Sequence, residues 1–108
     1  MTEKIIKDIY ALLCSKKYNE LAELTSNTRL SSNDIEESIL KYGYELIPYP
    51  NDVVFDIVEV INSNPKELSI WAPIYTKEEG LSDLSFELTL IKKNDMTYKI
   101  ELDNIHVH

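Results

Sequence analysis

Residues 71–90, WAPIYTKEEGLSDLSFELTL, hold the joint on which the fold turns. From Ser82 onward Leu84, Phe86, Leu88 and Leu90 alternate with Asp83, Ser85, Glu87 and Thr89. That period of two belongs to a half-buried strand, because successive side chains of extended backbone point to opposite faces. An aromatic segment carrying Trp71 and Tyr75 precedes it, and Lys77-Glu78-Glu79-Gly80 lies between. Glycine accepts backbone conformations that other residues resist, so the acidic loop reads as a turn joining two antiparallel strands rather than as a catalytic element. Asp83 is expected to hydrogen-bond the loop amides and hold their shape.

Reading toward the C-terminus, Lys93-Asn94-Asp95-Met96 turns the chain, and Tyr98, Ile100 and Leu102 form the apolar face of a further strand. Ile105 and Val107 are out of phase with them, which predicts a bulge near Asp103-Asn104. Pro73 has no N–H to donate, so its strand is expected to be bulged or unpaired there. Toward the N-terminus, residues 68–75 and 53–61 read as strands separated by the turn signal Asn62-Ser63-Asn64-Pro65. In the first of these strands Val54, Val58 and Val60 lie on one parity and Phe55, Ile57 and Ile61 on the other. Neither side is polar, so burial on both sides is expected, the second side covered by another copy of the chain or by a target protein. Residues 44–52, with Pro48 and Pro50, form an extended connector.

The first 43 residues carry the other periodicity. Ile5, Ile9, Leu12 and Leu13 recur at helical spacing, and Tyr18, Leu21, Ala22 and Leu24 mark a second helix that ends at Thr25-Ser26-Asn27. A third begins at the N-cap Ser31, with Asp34 three residues on and a Leu30–Ile35 staple. It ends at Gly43, where a left-handed cap is expected. The expected architecture is therefore α+β: one domain over residues 1–108, with three N-terminal helices packed on one face of a curved, cone-like, four-stranded and mainly antiparallel sheet.

Charge narrows the function classes. Residues 1–30 hold five basic and four acidic residues, whereas residues 31–108 hold six basic and fifteen acidic ones, within a net charge of -8. Such a body repels phosphate backbones and anionic membranes, which argues against nucleic-acid and membrane partners and for a basic protein partner. The chain lacks a long apolar run and a signal-peptide pattern at its start, and Cys14 is the single cysteine, so a cytoplasmic protein is expected. Cys14 closes an apolar helical stripe and reads as a packed thiol rather than a nucleophile.

Chemistry-bearing motifs are sparse. Gly43 and Gly80 are the two glycines, too few for a phosphate-cradling loop, a dinucleotide fingerprint or a nucleophile elbow. His106 and His108 share a strand face, with Asp83 or Asp103 as a candidate carboxylate, but His108 is the last residue and terminal segments fray, so no metal site is expected. A His106–Asp103 acid–base pair fares no better, since spacing alone does not bring two groups into one pocket. No cofactor is expected. Trp71 and Tyr75 share a strand parity, and with Tyr42, Tyr44 and Tyr49 they suit either an aromatic core or an interface.

The tryptophan-x-proline strand at Trp71–Pro73, the Thr76-x-Glu78-Glu79-Gly80 loop, the Ser82-Asp83-Leu84 step and the closing Asp103-x-Ile105-His106-Val107 resemble a family of small uncharacterised bacterial proteins. These look like α+β domains found as immunity or accessory proteins beside bacterial toxins, and their outline is similar to nuclear-transport-factor-two-like and cystatin-like cones. The resemblance implies a fold and brings no catalytic residues. The function expected is non-enzymatic protein binding of immunity type, directed at a basic partner such as a toxin, through Glu78, Glu79, Asp83, Glu87, Trp71 and Tyr75, with a homodimer as a further expectation. The alternatives are a cone-shaped domain holding a small molecule in a pocket between helices and sheet, and a structural subunit of a larger assembly.

Overall fold

Helix propagation in a short chain depends on its ends, and the third helix has both well made. The Ser31 hydroxyl accepts from the Asp34 amide at 3.1 Å while the Asp34 carboxylate accepts from the Ser31 amide at 3.0 Å, a reciprocal capping box. Gly43 closes the helix at φ 88, left-handed as expected. The computed structural model describes residues 2–25, 30–93 and 97–107. In chain order these form α1 (Thr2–Cys14), α2 (Tyr18–Leu24), α3 (Ser32–Tyr42), β1 (Asp56–Glu59), β2 (Glu67–Thr76), β3 (Gly80–Lys92) and β4 (Tyr98–Val107). The strands make an antiparallel meander in the order β1-β2-β3-β4, and the fold is the α+β arrangement that the two periodicities predict.

The helices lie on one face of this sheet. Ile6, Ile9, Tyr10 and Leu13 of α1, Leu21 of α2 and Ile35 of α3 meet Ile70, Ala72 and Ile74 of β2, Leu84, Phe86, Leu88 and Leu90 of β3, and Leu102 of β4 in one cluster. Each large apolar side chain taken out of water there contributes about 1.5–3 kcal/mol, so this contact is the main cohesive term. The expected staple residue Leu30 packs on the cluster. The expected turns Ser26-Asn27 and Asn94–Met96 fall outside the described residues, although the Lys93 amide donates to the Thr97 carbonyl at 2.8 Å across the second of them.

Both expected interruptions of the sheet are present. Glu87 pairs with Asn104 and Leu88 with Leu102, which leaves Asp103 as the extra residue and lets Leu102 and Ile105 both face inward. In β2 the register shifts between Pro73 and Tyr75. Beyond that shift the connector takes over as the neighbour of β2: Leu46 bridges to Thr76, the Ile47 amide donates to the Tyr75 carbonyl and the Lys77 amide to the Glu45 carbonyl.

The first strand differs from expectation. The chain itself buries neither side of it: β1 spans four residues, Asp56–Glu59, and all four are exposed. The reason is position. β1 is an edge strand bonded to β2 alone, and the helices cover β2, β3 and β4 without reaching it. A β-branched run suits extended backbone wherever it lies, so composition identified a strand but not its number of neighbours.

Candidate functional site

The residues expected to meet a partner fall into three separate places. The first is the β2–β3 turn, where Gly80 takes φ 70 as the tight hairpin requires. The Glu79 amide donates to Thr76 Oγ1 at 3.1 Å, and the two acidic side chains reach back to the helical half. Tyr42 Oη donates to Glu79 Oε1 at 2.5 Å and accepts from the Asp83 amide at 3.2 Å, while Glu78 Oε1 accepts from the Glu45 amide at 3.2 Å. The Glu79 carboxylate beside it raises the Tyr42 pKa. Glu78 and Glu79 thus clasp the hairpin to α3 and the connector. The shaping role expected of the Asp83 side chain is carried by these two carboxylates, and Asp83 contributes its backbone.

The second place is an aromatic wedge between α1, the connector and β2. Tyr10 and Tyr49 stack at 3.6 Å with 6° between their planes, Tyr10 lies parallel to Phe86 at 6.3 Å, and Tyr75 and Phe55 meet the Tyr49 ring edge-on. Tyr10 Oη donates to the Ile47 carbonyl at 2.6 Å and accepts from the Tyr75 amide at 3.0 Å, and Tyr49 Oη donates to the Pro73 carbonyl at 2.7 Å. Two hydroxyls therefore serve the β2 backbone on the edge where pairing with β1 has ended at Trp71 and the connector takes over. Burial pushes both phenols far above their usual range. Tyr75 belongs here, and it keeps the strand parity it shares with Trp71, since Ile70, Ala72, Ile74 and Thr76 between and beside them are buried in unbroken alternation. Beside the wedge is a concavity of about 440 Å³ walled by Lys7, Tyr10, Cys14, Pro48, Tyr49 and Asn51. The half-buried Cys14 thiol donates to the Ile47 carbonyl at 3.5 Å, and burial raises its pKa, as befits a packed thiol.

The third place is the sheet face turned away from the helices. Its rows follow from the strand registers, since residues flanked by core positions point outward. Asp56, Trp71, Glu87 and Asn104 lie in one row, Val58, Ser69, Thr89 and Glu101 in the next, and Pro73, Ser85 and His106 on the other side. Glu67, Ile91 and Lys99 extend the face toward the β1–β2 turn. Trp71, half-buried, therefore sits among the carboxylates of Asp56, Glu87, Glu101, Asp103 and Glu67, opposed by Lys99, which lies 3.7 Å from Glu101. Of the expected contact residues this face unites Trp71 and Glu87. Asp56 was missed, because its place beside Trp71 depends on the register between two strands.

The chemistry of this face is quiet. His106 stands opposite Ser85, and its Nδ1 is 3.6 Å from Glu87 Oε1 and 3.0 Å from Asn104 Nδ2, a serine, a histidine and a carboxylate in neighbouring positions. A nucleophile relay needs the histidine bonded to the hydroxyl, yet Ser85 Oγ is fully buried and makes no hydrogen bond among the described residues. Ser85→Ala removes an unsatisfied polar atom and is expected to raise the unfolding free energy by about 1 kcal/mol in urea denaturation. A loss of stability would show that the hydroxyl has a partner. The Asp103 carboxylate accepts from Thr89 Oγ1 at 2.6 Å, so the histidine's acidic neighbour is Glu87 rather than Asp103. His108 lies outside the described residues, and among those described no three His, Cys, Asp or Glu side chains gather as a metal site would require. Among the described residues no helix is long and apolar enough to cross a membrane.

No curated protein and no solved structure matches the chain. Residues 10–108, which include every strand, the connector and the hairpin clasp, match the family described as "Domain of unknown function (DUF7668)", and the chain belongs to that family.

Proposed function

We propose that the chain is a non-enzymatic protein-binding domain, of immunity or accessory type, which receives a basic partner protein on its open sheet face in the cytoplasm. The observation that carries this reading is the row Asp56–Trp71–Glu87–Asn104: a large amphipathic ring at the centre of an uncovered face, ringed by carboxylates. Tryptophan supplies anchoring area at low entropic cost, and surrounding like charge speeds the encounter with an oppositely charged surface. The filled contact between helices and sheet supports this reading over a pocket in that space. The lone half-buried thiol of Cys14 fits a reducing compartment.

With a basic partner recovered by affinity capture, titration of Trp71→Ala is expected to weaken binding about 30-fold or more. Glu87→Lys combined with Glu101→Lys is expected to slow association and remove much of its salt dependence. Reversal of Glu78 and Glu79 has a smaller effect on binding, because these side chains are engaged within the chain. Affinity unchanged by both face variants would sink the reading.

A second reading attaches to the concavity beside the Tyr10–Tyr49 stack, whose aromatic and proline walls suit a small apolar molecule. Compounds that raise the thermal midpoint and also protect Cys14 from alkylation would favour it.

A further inference from the structure

The acidic face that suits a basic partner opposes a second copy of itself, so self-association has to use another surface, and the β1 edge supplies one. Exposed apolar side chains concentrate there: Val54 70%, Ile57 39%, Val58 60%, Val60 39% and Ile61 85%. Water-exposed β-branched residues on an unpaired edge are a template for strand addition. We propose that two copies of the chain pair antiparallel through β1, joining their sheets into one continuous eight-stranded layer with Val58 on the two-fold axis.

The register follows from which backbone groups are already used. The Val60 amide donates to the Glu67 carbonyl, and β1 pairs with β2 as Val58↔Ser69 and Asp56↔Trp71 on the same ladder. In an antiparallel strand the N–H and C=O of one residue point the same way and alternate along the chain. Val60, Val58 and Asp56 therefore bond inward to β2, and Ile57 and Glu59 direct their N–H and C=O outward. A symmetric pairing must join these outward residues. Centred on Glu59, it sets that carboxylate against its own copy. Centred on Ile57, it needs Phe55 as a bonding partner, beyond the end of β1. Centred on Val58, it bonds Ile57 to Glu59 twice over and uses only residues inside β1. This last register also sets Val58 against Val58, Asp56 against Val60 and Phe55 against Ile61, with no like charges directly opposite.

Charge fits the same arrangement. The exposed Glu59 carboxylate has Lys66 at 3.7 Å, which offsets the acid nearest the axis. Each copy nevertheless carries a net charge of -8, so long-range repulsion opposes the dimer and salt relieves it. The contact is small beside a standard interface, which places its dissociation constant in the micromolar range or weaker. It uses an edge, whereas the proposed partner surface is a face, and the two associations depend on salt with opposite signs.

Sedimentation of the full chain from micromolar to near-millimolar concentration tests the dimer. The expected result is a reversible monomer–dimer equilibrium that strengthens with added salt. Glu59→Pro removes an outward N–H and no β1–β2 ladder bond, so it is expected to weaken association at least about tenfold with the fold retained by circular dichroism. In a Cys14→Ala background, mild oxidation should cross-link Val58→Cys to its symmetry mate. Non-hydrogen-bonded antiparallel pairs stand about 4.5 Å apart at Cα, within disulfide reach. Ile57→Cys and Glu59→Cys, each diagonal to its own copy in this register, should cross-link far less. A monomer throughout the range, a dimer indifferent to Glu59→Pro, or preferential cross-linking at position 57 or 59 would each overturn the proposal. None of those outcomes bears on the Trp71 face.

Discussion

Tyr10→Ala is expected to lower the unfolding free energy by about 3–5 kcal/mol, the scale for truncating a buried aromatic residue to alanine. For a domain whose whole stability is about 5–15 kcal/mol, that is a large share. Three losses combine. The ring is 2% exposed and leaves a cavity beside Phe86. Its stacked partner Tyr49 loses the face it packs on, and Tyr49 is the residue that anchors the connector to Pro73. The hydroxyl no longer serves the Ile47 carbonyl and the Tyr75 amide. Tyr10→Phe isolates the hydroxyl and is expected to cost about 1–3 kcal/mol, because it strands the part-buried Tyr75 amide and leaves the Ile47 carbonyl with the weak Cys14 thiol donor. Urea unfolding of the three proteins with an unchanged m-value reads the difference directly. A Tyr10→Ala loss below about 1 kcal/mol would mean that the wedge does not hold the connector.

The same tyrosines predict a steep alkaline limit. Burial raises the pKa of Tyr10 and Tyr49 well above the ordinary phenol value of 10.0, and burial likewise raises Cys14 above 9.0 and Tyr18 above 10.0. A raised value in the fold means that the native state keeps the proton while the unfolded chain releases it. The stabilisation is therefore complete below the unfolded values and is lost as pH rises through them toward the native ones. Above about pH 10 each fully protected tyrosine costs about 1.4 kcal/mol of stability per pH unit, so Tyr10 and Tyr49 together remove nearly 3 kcal/mol over one unit. Urea midpoints at stepped alkaline pH should fall along this slope, with phenolate absorbance appearing together with unfolding. The Tyr10→Phe and Tyr49→Phe double variant should show a flatter slope from a lower starting stability. An equal slope in that variant would place the alkaline limit elsewhere.

What was legible beforehand shares one property, that its cause is local. The alternation of Leu84, Phe86, Leu88 and Leu90, the Ser31–Asp34 box, the left-handed Gly43 and Gly80, and the phase slip at Asp103 each follow from backbone geometry within a few residues. Pro73 announced its own irregularity through the missing N–H, though not that Tyr10 and Tyr49 would serve the backbone around it. The acids Glu78 and Glu79 were conspicuous as an exposed loop, but their partners Glu45 and Tyr42 stand more than thirty residues away. Charge type could be read in advance; that Asp56 and Trp71 share a surface with Glu87 could not.

Periodicity and turn chemistry were enough to determine three helices, four strands and a single layer of cover, because each depends on torsions and alternation that residues carry with them. Tertiary structure decided that the β-branched run of residues 53–61 forms a short exposed edge strand, Asp56–Glu59, and that Trp71 stands among carboxylates from four strands. Neighbours are a property of the pairing register and of how far the helices reach, and no residue encodes either by its own chemistry.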